Sequence, residues 1–141
     1  MPKTKKVSEK IKKVIEINKN KIVLIVEDDE VLLRALYVFF HGGNYTIATA
    51  TDGETAVAMA QRLKPDIILL DLLLPKMDGF RVLEIVKSMP ELSNIPVIIL
   101  SNLGDTNDIA RAKSLGAQDY FIKANVELAK LSEIVDKVLK Y

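Results

Sequence analysis

From residue 21 onward, short apolar runs alternate with segments in which apolar residues recur at helical spacing, and this order constrains the fold more than any other feature. Each run is mostly continuous rather than alternating with polar residues, which is typical of parallel strands covered on both faces. The predicted strands are 22–26, 45–49, 67–70, 97–100 and 120–122.

The segments between the strands predict five helices. The first has an apolar set of Val31, Leu32, Ala35, Leu36 and Phe39 and ends at Gly42-Gly43. The other four helices are predicted over about 54–63, 79–89, 106–115 and 126–140, with stops at or near Pro65, Pro90 and Gly116.

Strand and helix therefore alternate five times, an order that requires a parallel sheet with right-handed crossover helices on both faces. We interpret the fold as α/β, a doubly wound five-stranded sheet of the flavodoxin-like kind. Ligands of such sheets bind at the carboxyl ends of the strands. Candidate chemistry is therefore sought at those ends.

Composition narrows the class of protein. The 141 residues fit one domain, and the absence of cysteine excludes disulfides and thiol chemistry. No apolar stretch is long enough to predict a membrane span, and the lysine-rich start lacks the apolar core of a secretory signal. We expect a cytoplasmic protein.

Residues 1–20 lie outside the strand and helix pattern and are interpreted as a basic extension of a domain at 21–141. Eight lysines against two glutamates give residues 1–21 a charge of +6. A short lysine run can follow nucleic acid or an anionic surface, but no aromatic residue lies among these lysines, so nothing indicates base stacking. We interpret the run as a solvated leader and expect no direct nucleic-acid binding by the domain. Val7, Ile11, Val14 and Ile15 could form the apolar stripe of a short helix capped by Ser8. That stripe could pack on the domain, bind a partner or hardly form.

Acidic residues follow two of the predicted strands. Glu27-Asp28-Asp29-Glu30 comes directly after the first strand, and Asp71 follows four aliphatic residues of the third. An exposed helix start would tolerate the first group, but Asp71 fits a solvated surface poorly. If these strands are neighbours, their carboxylates converge in one crevice, where Mg²⁺ would stabilise them. A carboxylate held there can attack a phosphoryl group and form an acyl phosphate.

The last two strands offer partners for such a phosphoryl group. Lys123 follows the fifth strand, and Ser101 follows the fourth. Taken alone, each is an ordinary residue at the end of a strand. Together with the acids they supply a cation and a hydroxyl for the oxygens that carry charge during transfer.

At this point the sequence resembles the receiver domain of bacterial response regulators, over about residues 21–140. The resemblance rests on five separated motifs in the family's order and spacing. These motifs are Val26-Glu27-Asp28-Asp29, 66–71 (DIILLD), 74–79 (LPKMDG), 96–101 (PVIILS) and 116–123 (GAQDYFIK).

The resemblance implies a two-component signalling switch rather than an enzyme with turnover. Asp71 resembles the phosphoacceptor, Lys123 the family's lysine, and Ser101 and Tyr120 its switch pair. Glu27, Asp28, Asp71 and the backbone carbonyl of Leu73 are the implied Mg²⁺ site. The implied partners are a sensor histidine kinase or phosphotransfer protein and a downstream protein or second copy on the face of helix 4, strand 5 and helix 5. The chain is expected to be a stand-alone receiver or the receiver fragment of a longer regulator.

Two positions depart from the family pattern. Ala124 stands where the family usually has a proline, and because a cis bond without proline costs about 2.5–4 kcal/mol we expect this peptide to be trans. Leu73 is apolar and cannot orient an attacking water, so we expect a long-lived phosphate.

Three other functions are possible for an α/β sheet of this kind. A phosphohydrolase similar to the haloacid dehalogenase family would carry its nucleophile on the first strand with a second acid two residues later. A flavin-binding module would need a phosphate-cradling loop where residues 27–30 are acidic. A receiver-like domain that only binds partners, without phosphorylation, is argued against by the intact acids but stays open.

Overall fold

The computed structural model describes residues 8–11 and 20–140 and shows the expected alternation of strands and helices. The strands are β1 (Lys21–Val26), β2 (Tyr45–Ala50), β3 (Ile67–Leu70), β4 (Val97–Ser101) and β5 (Asp119–Ile122). The helices are α1 (Glu30–His41), α2 (Gly53–Leu63), α3 (Gly79–Ser88), α4 (Thr106–Ser114) and α5 (Leu128–Leu139). Every predicted boundary lies within two residues of these bounds.

All five strands are parallel and lie in the order β2-β1-β3-β4-β5. This is the flavodoxin-like doubly wound sheet that the sequence predicts. In the register, Val26 pairs with both Ala50 and Leu70, so β1, β2 and β3 end level with one another. The residues that follow β1 and β3 therefore start side by side at the carboxyl edge.

Two apolar clusters, one on each face, hold the helices to the sheet. Leu36 and Phe40 of α1 join Leu131 and Val135 of α5 on one face, and α2, α3 and α4 cover the other. The central strands β1, β3 and β4 are almost wholly buried, whereas β5 is only half-buried throughout. Even these edge strands pack against both clusters, because Ala48 and Tyr120 contact one cluster and Ile47 and Phe121 contact the other. The half-burial of β5 and of the middle of β2 reflects their position at the edges of the sheet.

The inward face of α1 differs from the predicted one. Leu36 and Phe40 are buried, but Val31, Ala35 and Phe39 of the predicted apolar set are exposed. Nine of the twelve residues of α1 are apolar, so apolar periodicity alone does not fix which side of the helix faces the sheet.

Aspartates begin four of the five helices. Asp29, Asp52, Asp78 and Asp105 each accept hydrogen bonds from backbone amides of the first turn, an interaction that contributes about 1 kcal/mol per helix. α5 begins two residues later than predicted because Asn125 donates to the Ile122 carbonyl in a turn that follows β5.

Three further expectations concern parts of the chain outside the sheet. Peptide bonds are trans throughout the described residues, including the bond between Lys123 and Ala124. Within these same ranges no helix is long and apolar enough to cross a bilayer. Residues 8–11 are helical, with Ser8 inside the helical stretch and Ile11 54% exposed, while Val7, Val14 and Ile15 lie outside the described residues.

Candidate functional site

Two buried carboxylates lie side by side at the carboxyl edge of the sheet. The Glu27 amide donates to the Ala50 carbonyl and the Asp71 amide donates to the Val26 carbonyl, each at 3.0 Å. These bonds continue the strand ladders one residue past β1 and β3. Glu27 is 2% and Asp71 is 3% exposed, so the backbone holds both acids where water reaches them poorly.

Asp28 completes a set of three carboxylates. One oxygen from each of Glu27, Asp28 and Asp71 lies within 4.8 Å of the others, and Asp28 is exposed whereas the other two are buried. Glu27 Oε2 also accepts a hydrogen bond from the Asp28 amide at 3.0 Å. A few carboxylate oxygens at one open edge are the donor set that suits Mg²⁺, which keeps several of its waters. The residues present therefore fit the expected metal.

Lys123 lies between the two buried acids. Its Nζ donates to Asp71 Oδ2 at 2.8 Å and forms an ion pair with Glu27 Oε1. Its backbone amide donates to the Ser101 carbonyl at 2.9 Å, which anchors the lysine just past β5. Burial lowers the pKa of Lys123. The hydrogen bonds and charges of Asp71 and Glu27 raise the pKa by more than burial lowers it, so the net shift is upward. The ammonium is therefore a fixed positive charge.

Glu27 is the acid whose protonation is most perturbed. Burial, together with the nearby Asp71 carboxylate, raises its pKa to about 7, against the lowering effect of Lys123. A single ammonium thus only partly compensates two buried carboxylates. A divalent cation at this edge would favour the ionised form of Glu27.

The side chains of Ser101 and Tyr120 both contact the backbone of Leu103. The Leu103 amide donates to Ser101 Oγ at 3.4 Å, and the Tyr120 hydroxyl donates to the Leu103 carbonyl at 2.5 Å. Ser101 is fully buried, and Tyr120 is half-buried. Burial, followed by Asp108 and Asp71, raises the pKa of Tyr120, so its hydroxyl keeps its proton. Sequence reasoning found both side chains but not the residue that joins them.

The loop after β3 is held by two glycines. The Gly79 amide donates to the Leu72 carbonyl, and a Cβ on Gly79 would lie 2.2 Å from the Asp71 carbonyl oxygen. The Gly53 amide donates to the Pro75 carbonyl, and a Cβ there would lie 1.9 Å from the Met77 carbonyl oxygen. Only glycine fits at either close approach. The β2–α2 turn therefore supports the loop that begins at Asp71.

Lys76 and Leu73 occupy the exposed part of this loop. The backbone of Lys76 is in the left-handed region, with φ 67°. Its Nζ lies 3.8 Å from Oδ2 of Asp52, the residue that caps α2. The Leu73 amide donates to Asp71 Oδ1 at 3.2 Å, and its side chain is 52% exposed. Sequence reasoning missed Gly53, Asp52 and Lys76 as supports of the loop. The Asp-Gly pair before a helix is visible in the sequence, but its contact with residues 75–77 is not.

Comparison with known proteins agrees with this geometry. The family model described as "Response regulator receiver domain" matches residues 23–136, most of the chain. This chain belongs to the response regulator receiver domain family. The family is that of two-component systems, and the assignment removes the basis for the phosphohydrolase and flavin-binding alternatives.

Relatives of the receiver include longer regulators. This chain is 41% identical over 101 residues to the response regulator PleD of Caulobacter vibrioides. The aligned region covers 72% of this chain and 22% of PleD. The chain is 35% identical over 104 residues to the alkaline phosphatase synthesis transcriptional regulatory protein PhoP of Bacillus subtilis, which covers 74% of this chain and 42% of PhoP. The chain therefore spans between about a fifth and two fifths of the length of these two relatives.

Solved receiver structures have the same fold. A response regulator from Chloroflexus aurantiacus matches with a TM-score of 0.80 at 29% identity, covering 87% of this chain and all of that one. The Mn²⁺-bound form of response regulator Rcp1 matches with a TM-score of 0.73 at 29% identity, covering 86% and 93%. A CheX–CheY–BeF3–Mg²⁺ complex from Borrelia burgdorferi matches with a TM-score of 0.77 at 31% identity, covering 84% and 89%.

Proposed function

We propose that this receiver is a switch that accepts a phosphoryl group on Asp71, with Mg²⁺, from a histidine kinase or phosphotransfer protein. The observation that carries the proposal is the placement of Asp71 itself, which lies among Glu27, Asp28 and Lys123 at the open edge of the sheet. Asp71 is the member of this set that contacts both the lysine and the loop after β3. A phosphoryl group on Asp71 would therefore act directly on both Lys123 and the loop after β3.

The transfer conserves atoms and charge in a simple way. A carboxylate oxygen of Asp71 attacks the phosphorus of a partner's phosphohistidine and the phosphorus–nitrogen bond breaks. The imidazole nitrogen keeps the electron pair of that bond and takes up a proton from solvent. The product is an acyl phosphate on Asp71. The Lys123 ammonium is already within hydrogen-bond distance of that carboxylate, so it can also stabilise the negative charge of the phosphoryl oxygens. The protein acts by positioning and electrostatics, as is general for phosphoryl transfer.

Magnesium would supply a divalent charge that neutralises phosphoryl oxygens during the transfer. Glu27, Asp28, Asp71 and the carbonyl of Leu73 are the groups that would hold it. The Glu27 carboxylate is held in place by the hydrogen bond that it accepts from the Asp28 amide. Leu73 offers an apolar side chain beside the nucleophile, and we propose that the acyl phosphate is long-lived because this side chain cannot orient an attacking water.

Ser101 and Leu103 connect the site to the output face. Ser101 Oγ accepts the Leu103 amide, and a phosphoryl oxygen on Asp71 would compete for the Ser101 hydroxyl. Any resulting shift of Leu103 acts on Tyr120, which is bonded to the Leu103 carbonyl. We propose that this path changes the face formed by α4, β5 and α5, where a downstream protein or a second copy would bind.

α4 is suited to move in such a response. Ala112 is its only buried residue, so little apolar contact fixes the helix on the sheet. We further propose that residues 1–20 are a basic extension and that 21–141 form the receiver. The protein acts in the cytoplasm, its receiver does not bind nucleic acid directly, and it has no turnover as an enzyme.

Binding of beryllofluoride, a small phosphoryl mimic, tests the proposed site. Fluorine NMR with Mg²⁺ should show a bound signal for the native chain that disappears in Asp71→Asn and on removal of Mg²⁺. Asp136→Asn, a change on α5, is the matched control and should bind normally. Absence of a bound signal in the native chain would favour the alternative of a receiver that only binds partners. Repeated release of phosphate from a small phosphomonoester would instead favour a hydrolase.

A further inference from the structure

An arginine of α4 stacks on an aromatic ring at the start of α3. The guanidinium carbon of Arg111 lies 4.1 Å from the centroid of the Phe80 ring, which is the geometry of a cation–π interaction. Phe80 is 7% exposed, whereas Arg111 is exposed and forms no ion pair with a carboxylate of the described residues. The face of the Phe80 ring is therefore the partner of this guanidinium within the described chain.

Phe80 is one residue away from a close contact with the backbone of Asp71. A Cβ on the preceding residue, Gly79, would lie 2.2 Å from the Asp71 carbonyl oxygen and 2.6 Å from the Leu72 Cα. The Gly79 amide also donates to the Leu72 carbonyl at 2.9 Å. The start of α3 therefore packs directly against the backbone of the proposed phosphoacceptor.

Few other contacts hold α4 in place. Ala112, the residue after Arg111, is the only buried residue of this helix, and it belongs to the same apolar cluster as Phe80. A helix with so little buried apolar surface opens locally at a low cost in free energy. The contact between Arg111 and Phe80 therefore has a large share in keeping α4 beside α3.

We propose that the Arg111–Phe80 pair holds α4 on the start of α3 in the unphosphorylated protein and that phosphorylation of Asp71 breaks it. The inference rests on the proposed function, because it concerns the helix that the phosphoryl group would move. Phe80 is packed in the core and cannot follow α4, so a movement of α4 separates the two groups. The pair reaches α4 from the loop after β3, whereas the Ser101–Leu103–Tyr120 route starts from the loop after β4.

A pair that is intact only in the unphosphorylated state opposes the switch. Coupling between two sites is reciprocal, so such a pair lowers the affinity of the Asp71 site for a phosphoryl mimic. An exposed cation–π contact corresponds to a factor of about 2 to 5 in that affinity. Arg111 is thus a positioning residue that sets how readily the site responds, without touching the phosphoryl group.

Titration with beryllofluoride at fixed Mg²⁺, followed by fluorine NMR, measures this effect. Arg111→Gln removes the charge and should bind beryllofluoride about 2 to 5 times more tightly than the native chain. Arg62→Gln is the matched control and should bind as the native chain does. Arg62 is likewise an exposed arginine in the last turn of a helix, α2, but the structure describes no ring contact for it. Unchanged or weaker binding by Arg111→Gln would overturn the proposal.

A double-mutant cycle distinguishes the pair from independent effects of its two members. Phe80→Leu keeps an apolar side chain but removes the ring face, so it should tighten beryllofluoride binding as Arg111→Gln does. Adding Arg111→Gln to Phe80→Leu should then bring no further gain. A full second gain in the double variant would show that the two residues act separately, which also contradicts the proposal.

Hydrogen exchange of the unphosphorylated chain gives a readout that needs no beryllofluoride. The α4 amides should exchange faster in Arg111→Gln than in the native chain or in Arg62→Gln, because the helix has lost a contact. Equal α4 exchange in the three proteins would show that the pair does not hold α4. A native chain that binds no beryllofluoride would instead refute the proposed function, and the inference with it.

Discussion

The Tyr120 hydroxyl donates a 2.5 Å hydrogen bond to the Leu103 carbonyl, and so ties β5 to the loop that follows β4. Leu103 also donates its amide to Ser101 Oγ, so one residue contacts both members of the proposed switch pair. The structure therefore offers a physical route between the phosphorylation site and the output face that does not require Ser101 and Tyr120 to touch.

Tyr120→Phe should interrupt this route while leaving the site intact. The variant loses one hydrogen bond, worth about 0.5–1.5 kcal/mol in the free energy of unfolding. We expect faster hydrogen exchange at residues 103–105, normal phosphorylation of Asp71, and a smaller phosphorylation-induced change in the exchange of α4. Tyr37→Phe, on the exposed side of α1, is the control. An undiminished α4 response in Tyr120→Phe would show that the tyrosine hydroxyl is not part of the route.

Lys123→Ala should destabilise the protein most at high pH. The change leaves two buried carboxylates without their cation, and removing one partner of a buried ion pair costs about 3–5 kcal/mol. Protonation of Glu27 relieves part of this cost, so the loss should shrink as the pH falls below about 7.

Urea unfolding of the native chain and the variant at about pH 8 and about pH 5.5 measures this difference. Lys130→Ala is the control: its ammonium lies 3.9 Å from Glu133 on the surface of α5, and an exposed pair contributes about 0–1 kcal/mol. A loss for Lys123→Ala that does not change between the two pH values would contradict the assigned state of Glu27.

Magnesium binding should release a proton from Glu27. The pKa of this carboxyl is 4.5 in its ordinary state and about 7 in the fold, so the folded protein binds more protons than the unfolded chain between these values. Without metal, stability therefore falls as the pH rises from about 4.5 to about 7. A divalent cation needs the ionised carboxylate, so Mg²⁺ affinity should rise over the same range.

Calorimetric titrations in two buffers of different ionisation enthalpy measure the released proton. Near pH 6.5 the native chain should release a fraction of a proton per Mg²⁺, and Glu27→Gln should release less. Equal proton release by the two proteins would assign the titration to another group.

Gly53→Ala should strain the loop that carries the site, because the added Cβ would lie 1.9 Å from the Met77 carbonyl oxygen. Forcing an atom into such a contact typically costs about 1–3 kcal/mol. We expect a lower urea midpoint and weaker Mg²⁺ binding, since Leu73 lies on the same loop. Gly42→Ala, where a Cβ meets nothing within 4 Å, should change neither quantity. Similar behaviour of the two variants would show that the β2–α2 turn does not support the loop.

The sequence predicts most of this fold because its strands are continuous apolar runs and its helices end at or near glycine or proline. The convergence of Glu27 and Asp71 follows from topology, since both come directly after strands that lie side by side. Neither inference requires knowing any side-chain contact.

What the sequence does not reveal depends on contacts between segments far apart in the chain. Gly53 meets Met77, and Leu103 joins Ser101 to Tyr120, only once the loops have their final paths. The side of α1 that packs on the sheet is mispredicted for a different reason. Apolar residues surround that helix, so periodicity gives no single inward side, and Val31 proves to be 81% exposed.

The most direct test of the central claim is the intact mass of the chain after treatment with a small phosphodonor and Mg²⁺. The native chain should gain the mass of one phosphoryl group, the adduct should be labile as an acyl phosphate is, and chelation of Mg²⁺ should prevent it. Asp71→Asn should gain nothing under the same conditions, while Asp136→Asn should behave like the native chain. An unmodified native chain, or an equal adduct on Asp71→Asn, would contradict the assignment of Asp71 as the phosphoacceptor.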